Sequence, residues 1–441
     1  MLLLGVAISI ELFAWAGLHI FDYRGRLKPL YEYLPKGQYP GNGSPFSSSI
    51  TKFDPCLGWD SKDIVRGKPW LVPGSTHFVD AFGDSMVYCS EVDTEESLWF
   101  LLEKAVGQDF CNLGVPGYGT DQSLLKYKKY AKQIPAKIVV FGVLPDDINR
   151  LLLVVPSYRW RNAAPILTKP RFLLTSTGIQ LIENPLKYET QYNALLDPNF
   201  LSEISKNDAC YNYYKDRYGF DLVYGRNFPF SLEFISMVIG QARYGVAPIR
   251  FGGPEDLYRR GSEAYKIMKY ILNEFSKECL KNSAIPIVIF NCDVREDLSS
   301  QNRAIIKPLI KYVEYDLSIR AIVVSDIFLK EIQRQNVNPS WLLADGGHYS
   351  VFANQILCQK LTPFFRLMAK GETVKASEAL SGIPFVDVDY ITAHLAAAHA
   401  CFHAGKERAE EPLRALSHLQ QVLSLDPGNR PAMEMLRSMR H

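Results

Sequence analysis

Short apolar runs recur along the middle of the chain, and five of them have the length and composition of buried strands. The runs after the second are rich in Val and Ile, which is typical of parallel strands that are covered on both faces. The predicted strands are Phe78–Phe82, Asp109–Leu113, Lys137–Val143, Pro286–Phe290 and Arg320–Val324.

Stretches with apolar residues at three- and four-residue spacing lie between and after these runs. Four of them are predicted helices: 94–106, 121–133, 262–282 and 351–369. The first begins with a favourable Thr-Glu-Glu-Ser turn, and Ser262 is a suitable N-cap for the third. Strands that alternate with helices predict an α/β fold with a doubly wound, mostly parallel sheet, here over residues 76–369.

The stretch from about 151 to 261 interrupts this alternation. It is rich in Tyr, Phe, Asn and Pro and has no clear period, so its fold is not predicted. An insertion of this length between two strands commonly forms a lid over a site. We therefore expect it to influence the choice of substrate.

The first 21 residues are mostly apolar and are long enough to span a bilayer. Glu11 weakens this prediction, since a charge at mid-membrane costs roughly 2.5–3.5 kcal/mol on insertion scales. We expect an uncleaved, single-pass signal anchor, and the alternative is a buried amphipathic helix. Arg24, Arg26 and Lys28 follow the segment, and by the positive-inside rule they would keep the body in the cytoplasm.

The two ends of the body differ from it in pattern. Residues 22–75 look irregular and are predicted to be a linker and lead-in. After a second linker over 370–386, residues 387–441 have the pattern of Ala- and Leu-rich helices. The sequence Leu425-Asp-Pro-Gly-Asn429 resembles the end of a tetratricopeptide repeat, although only about one and a half repeats are present. We expect this tail to pack on the body or to bind a protein partner.

Composition removes several classes of function. The 441 residues carry a net charge of +2 without a long basic block, which argues against nucleic-acid binding. The eight cysteines are scattered without metal-ligand spacing, and His399 and His403 have no third ligand nearby. Phosphate-loop and dinucleotide motifs are absent. We predict neither a cofactor nor a metal.

Gly83-Asp84-Ser85 ends the first predicted strand abruptly. Ligands collect at the carboxyl ends of strands in open α/β sheets, so this serine is a candidate nucleophile. The alternative is an ordinary turn that caps the next helix. A nucleophilic serine needs a base, which is usually histidine. Only His77 and His348 belong to the body, and His77 precedes the strand at the wrong end of the sheet.

His348 lies in a loop just before the last helix of the body, from which it can reach across the strand ends. Asp345, three residues earlier, can accept a hydrogen bond from the other ring nitrogen and fix the tautomer. The alternative for Asp345-Gly-Gly-His348 is a glycine-rich turn with a helix cap.

Three blocks in order resemble the SGNH (GDSL-type) hydrolases, which have a flavodoxin-like sheet. They are Gly83-Asp84-Ser85, Asn112-Leu-Gly-Val-Pro-Gly-Tyr-Gly119 and Asp345-x-x-His348, and the resemblance covers about residues 76–369. The Gly-x-Ser-x-Gly elbow of other α/β hydrolases is absent around Ser85. Asp54-Pro-Cys-Leu-Gly-Trp59 also resembles the lead-in of membrane-anchored members.

The resemblance implies a role for each residue. Ser85 would be the nucleophile, His348 the general base and Asp345 the residue that orients it. The backbone N–H groups of Ser85 and Gly117 would form two parts of the oxyanion hole.

The third oxyanion donor of the family is an Asn after the third strand, and here the chain departs from the family. Asp146 stands at that place. An ionised carboxylate cannot donate to an oxyanion, and losing one donor costs about 2.7–4 kcal/mol of transition-state stabilisation. Three interpretations stay open: Asp146 is protonated, Asn149 takes the role, or activity is weak or lost.

The resemblance implies a serine esterase that hydrolyses or transfers a small O-acyl group, on a glycan or a similar ester. It also favours an extracytoplasmic body, whereas the basic residues after the anchor predict a cytoplasmic one. One alternative is a polysaccharide O-acyltransferase with the same triad. Another is a non-catalytic, membrane-anchored scaffold that uses a degenerate hydrolase fold and docks through its tail. Asp146 is the best support for that alternative.

Overall fold

The structure is a computed structural model, and it describes most of the chain between residues 50 and 372 together with a helix at the start. The described residues are 2–22, 46, 50–62, 64–65, 68–70, 72, 74–159, 166–218, 221–223, 228–244, 253–372, 375–376, 419 and 433. The predicted linker over 370–386 and the predicted repeat-like tail over 387–441 therefore lie almost entirely outside the described residues, as do His399 and His403.

The secondary structure consists of short strands and helices of mixed length. The strands are β1 (Thr51–Asp54), β2 (Gly58–Ser61), β3 (Ile64–Val65), β4 (Lys68–Pro69), β5 (His77–Phe82), β6 (Phe110–Asn112), β7 (Ala136–Val143), β8 (Arg171–Thr175), β9 (Gly178–Ile182), β10 (Ile285–Phe290) and β11 (Arg320–Val323). The helices are α1 (Leu2–Asp22), α2 (Ser85–Tyr88), α3 (Leu98–Val106), α4 (Thr120–Tyr130), α5 (Asp147–Arg150), α6 (Pro198–Ile204), α7 (Ala209–Tyr218), α8 (Phe230–Tyr244), α9 (Pro254–Leu257), α10 (Glu263–Lys281), α11 (Ser300–Lys311), α12 (Val324–Gln335) and α13 (Val351–Ala369).

Five strands form the central sheet in the order β6-β5-β7-β10-β11, and all neighbours are parallel. This order is that of flavodoxin-like folds. The five predicted strands are confirmed, each to within about a residue at either end. The four helices predicted in the body also form, as α3, α4, α10 and α13.

Apolar side chains cover both faces of the sheet, which explains why its strands lack polar alternation. On one face, Val79, Ala81 and Val140 belong to a core shared with α3, α12 and α13. On the other face, Phe82 packs on Tyr127 of α4, and Phe141 stacks on Phe275 of α10 with 4.6 Å between ring centroids. The helices therefore hold the sheet from both sides and fix the positions of its strand ends.

The chain divides into two compact units. One contains residues 63–147 and 268–441, including the whole parallel sheet. The other contains residues 1–62 and 148–267, so the stretch of about 151–261 belongs with the start of the chain. Its described part has the hairpin β8–β9 and mostly short helices. Its function as a lid stays a prediction.

The lead-in is more regular than its sequence suggested. Residues 22–75 were expected to be irregular, but β1 and β2 form an antiparallel hairpin. The Asp54 carboxylate accepts hydrogen bonds from the backbone N–H groups of Cys56 and Leu57 at 2.9 and 3.0 Å. These bonds close the turn between two four-residue strands, which are too short to give a clear apolar period.

Helix α1 packs beside α8, through Phe13 and Gly17 against Phe234. The Glu11 carboxylate accepts hydrogen bonds from the backbone N–H and the hydroxyl of Ser231. Across the residues that the structure describes, no helix has both the length and the apolar run needed to cross a membrane.

Candidate active site

The serine lies at the point where β5 passes into the single helical turn α2. Asp84 is buried, and its carboxylate accepts a hydrogen bond from the Met86 N–H at 3.0 Å, which caps this turn. The alternative interpretation of Gly83-Asp84-Ser85 as a helix-capping turn is therefore confirmed as far as Asp84 is concerned. The same cap leaves the half-buried Ser85 at the first position of the turn, at the carboxyl end of a central strand.

Three glycines enclose α2. A Cβ at Gly83 or Gly142 would collide with the Val87 side chain, and a Cβ at Gly114 would lie 2.5 Å from the Tyr88 backbone nitrogen. Glycine is the residue that lets backbone segments approach this closely. The ends of β5 and β7 and the loop after β6 can therefore all meet at the serine turn.

The loop after β6 brings Gly117 to the same place. The Val115 N–H donates to the Gly83 carbonyl at 3.0 Å, so this loop continues the pairing of β5 and β6 past their ends. Gly117 has φ +83° in a turn closed by the Tyr118 N–H on the Val115 carbonyl, and only glycine adopts this conformation readily. Asn112 has a supporting role, since its amide bonds the Gly114 N–H and the Tyr88 carbonyl.

His348 reaches the serine from the loop before α13. The loop is a narrow hairpin in which the Ala344 N–H donates to the His348 carbonyl at 2.9 Å. Tyr349 is buried, and its hydroxyl accepts a hydrogen bond from the Cys292 N–H at 2.8 Å, which ties the hairpin to the end of β10. The Nε2 atom of His348 lies 2.8 Å from Oγ of Ser85. This distance is within the range for a nucleophile and its base.

The other ring nitrogen of His348 contacts Glu91. The Glu91 carboxylate is hydrogen-bonded to Nδ1 of His348 and accepts a second hydrogen bond from the Gly346 N–H at 2.7 Å. A Cβ at Gly346 would collide with this carboxylate, so the glycine makes the approach possible.

The surroundings of Glu91 set its protonation. Partial burial raises the pKa of the Glu91 carboxyl, but the hydrogen bonds from His348 and Gly346 outweigh it and hold the pKa below its usual value. The group is therefore ionised throughout the neutral range and can stabilise a positive charge on the imidazole.

Asp345 does not take the place that the sequence predicted for it. Asp345 is exposed to solvent, and the residue that contacts Nδ1 of His348 is Glu91. The hairpin explains the difference, because the Gly347 N–H bonds back to the Ala344 carbonyl and Gly347 turns at φ +96°. Glu91 lies six residues after Ser85, beyond a turn in which Cys89 adopts the left-handed conformation. The sequence could have indicated Glu91 only as an acidic residue in the loop that follows the candidate nucleophile.

The residues predicted near the third oxyanion position are spread over the end of β7 and α5. Asp146 is half-buried. Asp147 is buried, and its carboxylate closes the turn by accepting the Leu144 N–H at 3.0 Å. Asn149 is buried in α5. Within the described residues, the backbone N–H groups of Ser85 and Gly117 have no acceptor.

Asn291 places a side-chain amide near the end of β7, and the sequence gives no indication of it. Asn291 follows β10, is buried, and lies with Nδ2 3.3 Å from where a Cβ of Gly142 would be. This Nδ2 has no acceptor in the part of the chain that the structure describes. No motif marked it, because it lies outside the three family blocks.

Charged groups line the rim beside the histidine loop. Arg295 forms a bidentate ion pair with Asp293, and its guanidinium fills the space over Gly347. Desolvation raises the pKa of Asp297 to about 6, and the negative charges of Asp293 and Asp146 add to the effect. The rim on this side is therefore acidic apart from Arg295.

Comparisons with known proteins are limited to overall structure. The sequence matches no protein-family model, and no curated protein matches it. A solved structure of a member of the lipolytic protein G-D-S-L family from Veillonella parvula DSM 2008 is similar, with 9% sequence identity and a TM-score of 0.31. The match covers 64% of this chain and 93% of that one. A TM-score this low supports no conclusion about the fold or chemistry of this chain, and both rest on its own residues.

Proposed function

We propose that the protein is a serine hydrolase that cleaves a small O-acyl ester through a Ser85–His348–Glu91 triad. The observation that carries the proposal is the contact of His348 with Ser85 Oγ at 2.8 Å on one side and with the Glu91 carboxylate on the other. A nucleophile, a base within hydrogen-bond reach and an acid that orients the base are the three parts that this chemistry needs.

In the first half of the reaction, Ser85 Oγ attacks the acyl carbon, and its proton passes to Nε2 of His348. The ionised Glu91 accepts the Nδ1–H bond and stabilises the imidazolium that forms. The oxyanion would take hydrogen bonds from the Ser85 and Gly117 N–H groups. Collapse of the intermediate breaks the ester C–O bond, the leaving alkoxide takes the proton from Nε2, and the acyl group stays on Ser85.

In the second half, His348 takes a proton from water while the water oxygen attacks the acyl-serine. The tetrahedral intermediate then expels Ser85 Oγ, which regains its proton from Nε2, and a carboxylic acid leaves. A sugar hydroxyl in place of water would give acyl transfer by the same steps. The triad supports both outcomes, and an acylated glycan as substrate is part of the proposal through the family resemblance.

The test is turnover of a small acyl ester, such as p-nitrophenyl acetate or an acetylated sugar, by the full chain. We expect turnover in the wild type and its loss in Ser85→Ala and in His348→Ala. Ser340→Ala removes an exposed hydroxyl away from the triad and serves as the matched control. Turnover that survives both triad substitutions would end the proposal.

An acceptor sugar added to the same assay separates two versions of the function. Transfer that outruns hydrolysis would favour the O-acyltransferase. Folded protein with no turnover of any ester would favour the non-catalytic scaffold, which Asp146 supports.

We also propose that α1 attaches the chain to a membrane. Large apolar residues of α1 such as Leu4, Leu12 and Phe13 are 60–71% exposed, and Glu11 is hydrogen-bonded to Ser231. Exposed apolar faces of this kind mark interaction surfaces. Carbonate-resistant sedimentation of the full chain with membranes tests this, and a soluble full chain would contradict it. A single-pass anchor, an extracytoplasmic body and a protein partner for the tail stay predictions.

A further inference from the structure

A histidine, a carboxylate and a thiol meet at the edge of the sheet, at the end opposite Ser85. Nδ1 of His77 and Oδ1 of Asp80 are 2.7 Å apart, and a ligand atom from each of these residues and from Cys111 lies within 4.8 Å of the others. In the part of the chain that the structure describes, this is the one group of three that could hold a metal ion.

The strand register produces this cluster. Asp80 of β5 is paired with Cys111 of β6, so the two side chains leave neighbouring strands on the same face. His77 begins β5 and returns its ring toward Asp80. The His77 and Asp80 side chains are only 8% and 2% exposed. A carboxylate this deeply buried needs a positive partner, which either a protonated His77 or a bound cation can supply.

The surroundings of His77 match those of a metal ligand. If Nδ1 holds the metal, Nε2 is left to donate, and it lies 3.4 Å from Ser75 Oγ and 3.8 Å from Oδ2 of Asp109. The contact with Asp109 is longer than a hydrogen bond, and metal binding would shorten it, because metal-bound histidines commonly donate their second N–H to a carboxylate.

A cavity at the sheet edge gives access to the cluster. It is lined by His77, Asp109 and Cys111, with Trp99 and Asn112 beside them. An ion could enter here, and water could complete its coordination. Cys111 forms no disulfide, so its sulfur can become a metal ligand once the thiol proton has left.

We propose that His77, Asp80 and Cys111 bind a zinc ion. One nitrogen, one oxygen and one sulfur ligand form a set that suits Zn²⁺, with water in the fourth position. Binding releases the thiol proton of Cys111 and the proton that Nδ1 shares with Asp80, while the imidazole keeps its proton on Nε2. The ion would tie the edge strand β6 to β5 and would be structural. This inference is independent of the proposed esterase.

The experiment is a cobalt(II) titration of the full, untagged chain, followed by competition with zinc. Cobalt bound to a thiolate gives a ligand-to-metal charge-transfer band that histidine or carboxylate sites lack, so histidines elsewhere in the chain do not interfere. We expect one equivalent of cobalt to produce this band and zinc to remove it. Cys111→Ser should abolish the band, and Asp109→Asn should weaken binding by about 10- to 100-fold.

Cys358→Ser is the matched control, because Cys358 in α13 is likewise half-buried and forms no disulfide. It should keep the band, and zinc should raise the thermal midpoint of this control and of the wild type but not of Cys111→Ser. A wild type without the band, or a band that persists in Cys111→Ser, would overturn the site. Ester turnover is expected to be the same with and without zinc, so failure of one proposal leaves the other standing.

Discussion

Glu91 and Asp345 are both acidic residues close to His348, Glu91 by contact and Asp345 in the same loop, but their surroundings differ. Glu91 contacts Nδ1 of His348 and also accepts the Gly346 N–H, whereas Asp345 is exposed. An acid that holds the imidazole contributes by fixing the tautomer and by stabilising the imidazolium. We therefore assign the orienting role to Glu91.

Glu91→Gln tests this assignment with Asp345→Asn as its matched control. Glutamine keeps the shape but loses the charge, and we expect kcat to fall by about 10²–10⁴-fold, as for the acid of other serine triads. Asp345→Asn should leave kcat nearly unchanged. Steady-state turnover of a small ester measures both. The reverse order of effects would return the role to Asp345.

Asp146 stands where the family resemblance places the third oxyanion donor, and we propose that its carboxylate weakens the oxyanion hole. Asp146→Asn replaces the carboxylate by an amide that can donate, and we expect kcat to rise by about 10²-fold, the size of effect that one donor has. The same ester assay measures it, and KM should change little. An unchanged kcat would mean that Asp146 does not face the oxyanion. In that case the unpartnered amide of Asn291 is the next candidate donor.

At the scale of elements, the site depends on how closely three strand ends approach α2. Gly114→Ala places a Cβ 2.5 Å from the Tyr88 nitrogen, and the nearest atoms are all backbone of Val87 and Tyr88, which cannot swing aside as a flexible side chain would. We expect ester turnover to fall by at least about tenfold, since small displacements of catalytic groups have effects of this size or larger. Gly261→Ala is the control, because its added methyl meets nothing within 4 Å. Equal turnover in the two variants would contradict the close-packed arrangement.

The strands and helices of the sheet were predictable because each is a strongly patterned run bounded by glycine or polar residues. Ser85 was predictable because it follows a strand, and ligands collect at strand ends. His348 was predictable because few histidines lie in the body. The partner of His348 Nδ1 was not predictable from the sequence. The positive φ at Gly347 sets the course of the hairpin, and the partner itself, Glu91, lies 257 residues away in the chain. The hairpin β1–β2 escaped prediction because four-residue strands give almost no period.

At the scale of the whole molecule, the unit that holds the sheet contains a carboxyl group with no hydrogen bond. Glu314 is 1% exposed, and neither of its carboxylate oxygens has a hydrogen-bond partner among the described residues. Desolvation raises its pKa to about 7, although Arg320 opposes the rise. The folded state prefers the neutral form of Glu314, whereas the unfolded state ionises at the ordinary glutamate pKa. The free energy of unfolding is therefore highest at acid pH and falls as the pH rises, until Glu314 also ionises in the folded state at about 7.

Urea unfolding at pH 5 and pH 8 measures the effect. Glu314 alone should lower the free energy of unfolding by on the order of 2–3 kcal/mol between these pH values. Glu314→Gln should remove that part of the decline, and exposed Glu95→Gln should retain it. Asp80 and Asp297, whose pKa values burial raises to about 6, each add a decline of the same sign that is smaller than that of Glu314, and these remain in Glu314→Gln. An identical decline in all three proteins would contradict the assignment.

An activated Ser85 should react covalently with a fluorophosphonate, and labelling of the protein shows whether it does. A fluorophosphonate probe reacts with serines that a base activates, and mass spectrometry of the digested protein locates the adduct. We expect labelling at Ser85 in the full chain, none in Ser85→Ala, and strongly slowed labelling in His348→Ala and Glu91→Gln. Correctly folded wild-type protein that the probe leaves unlabelled at Ser85 would contradict this expectation.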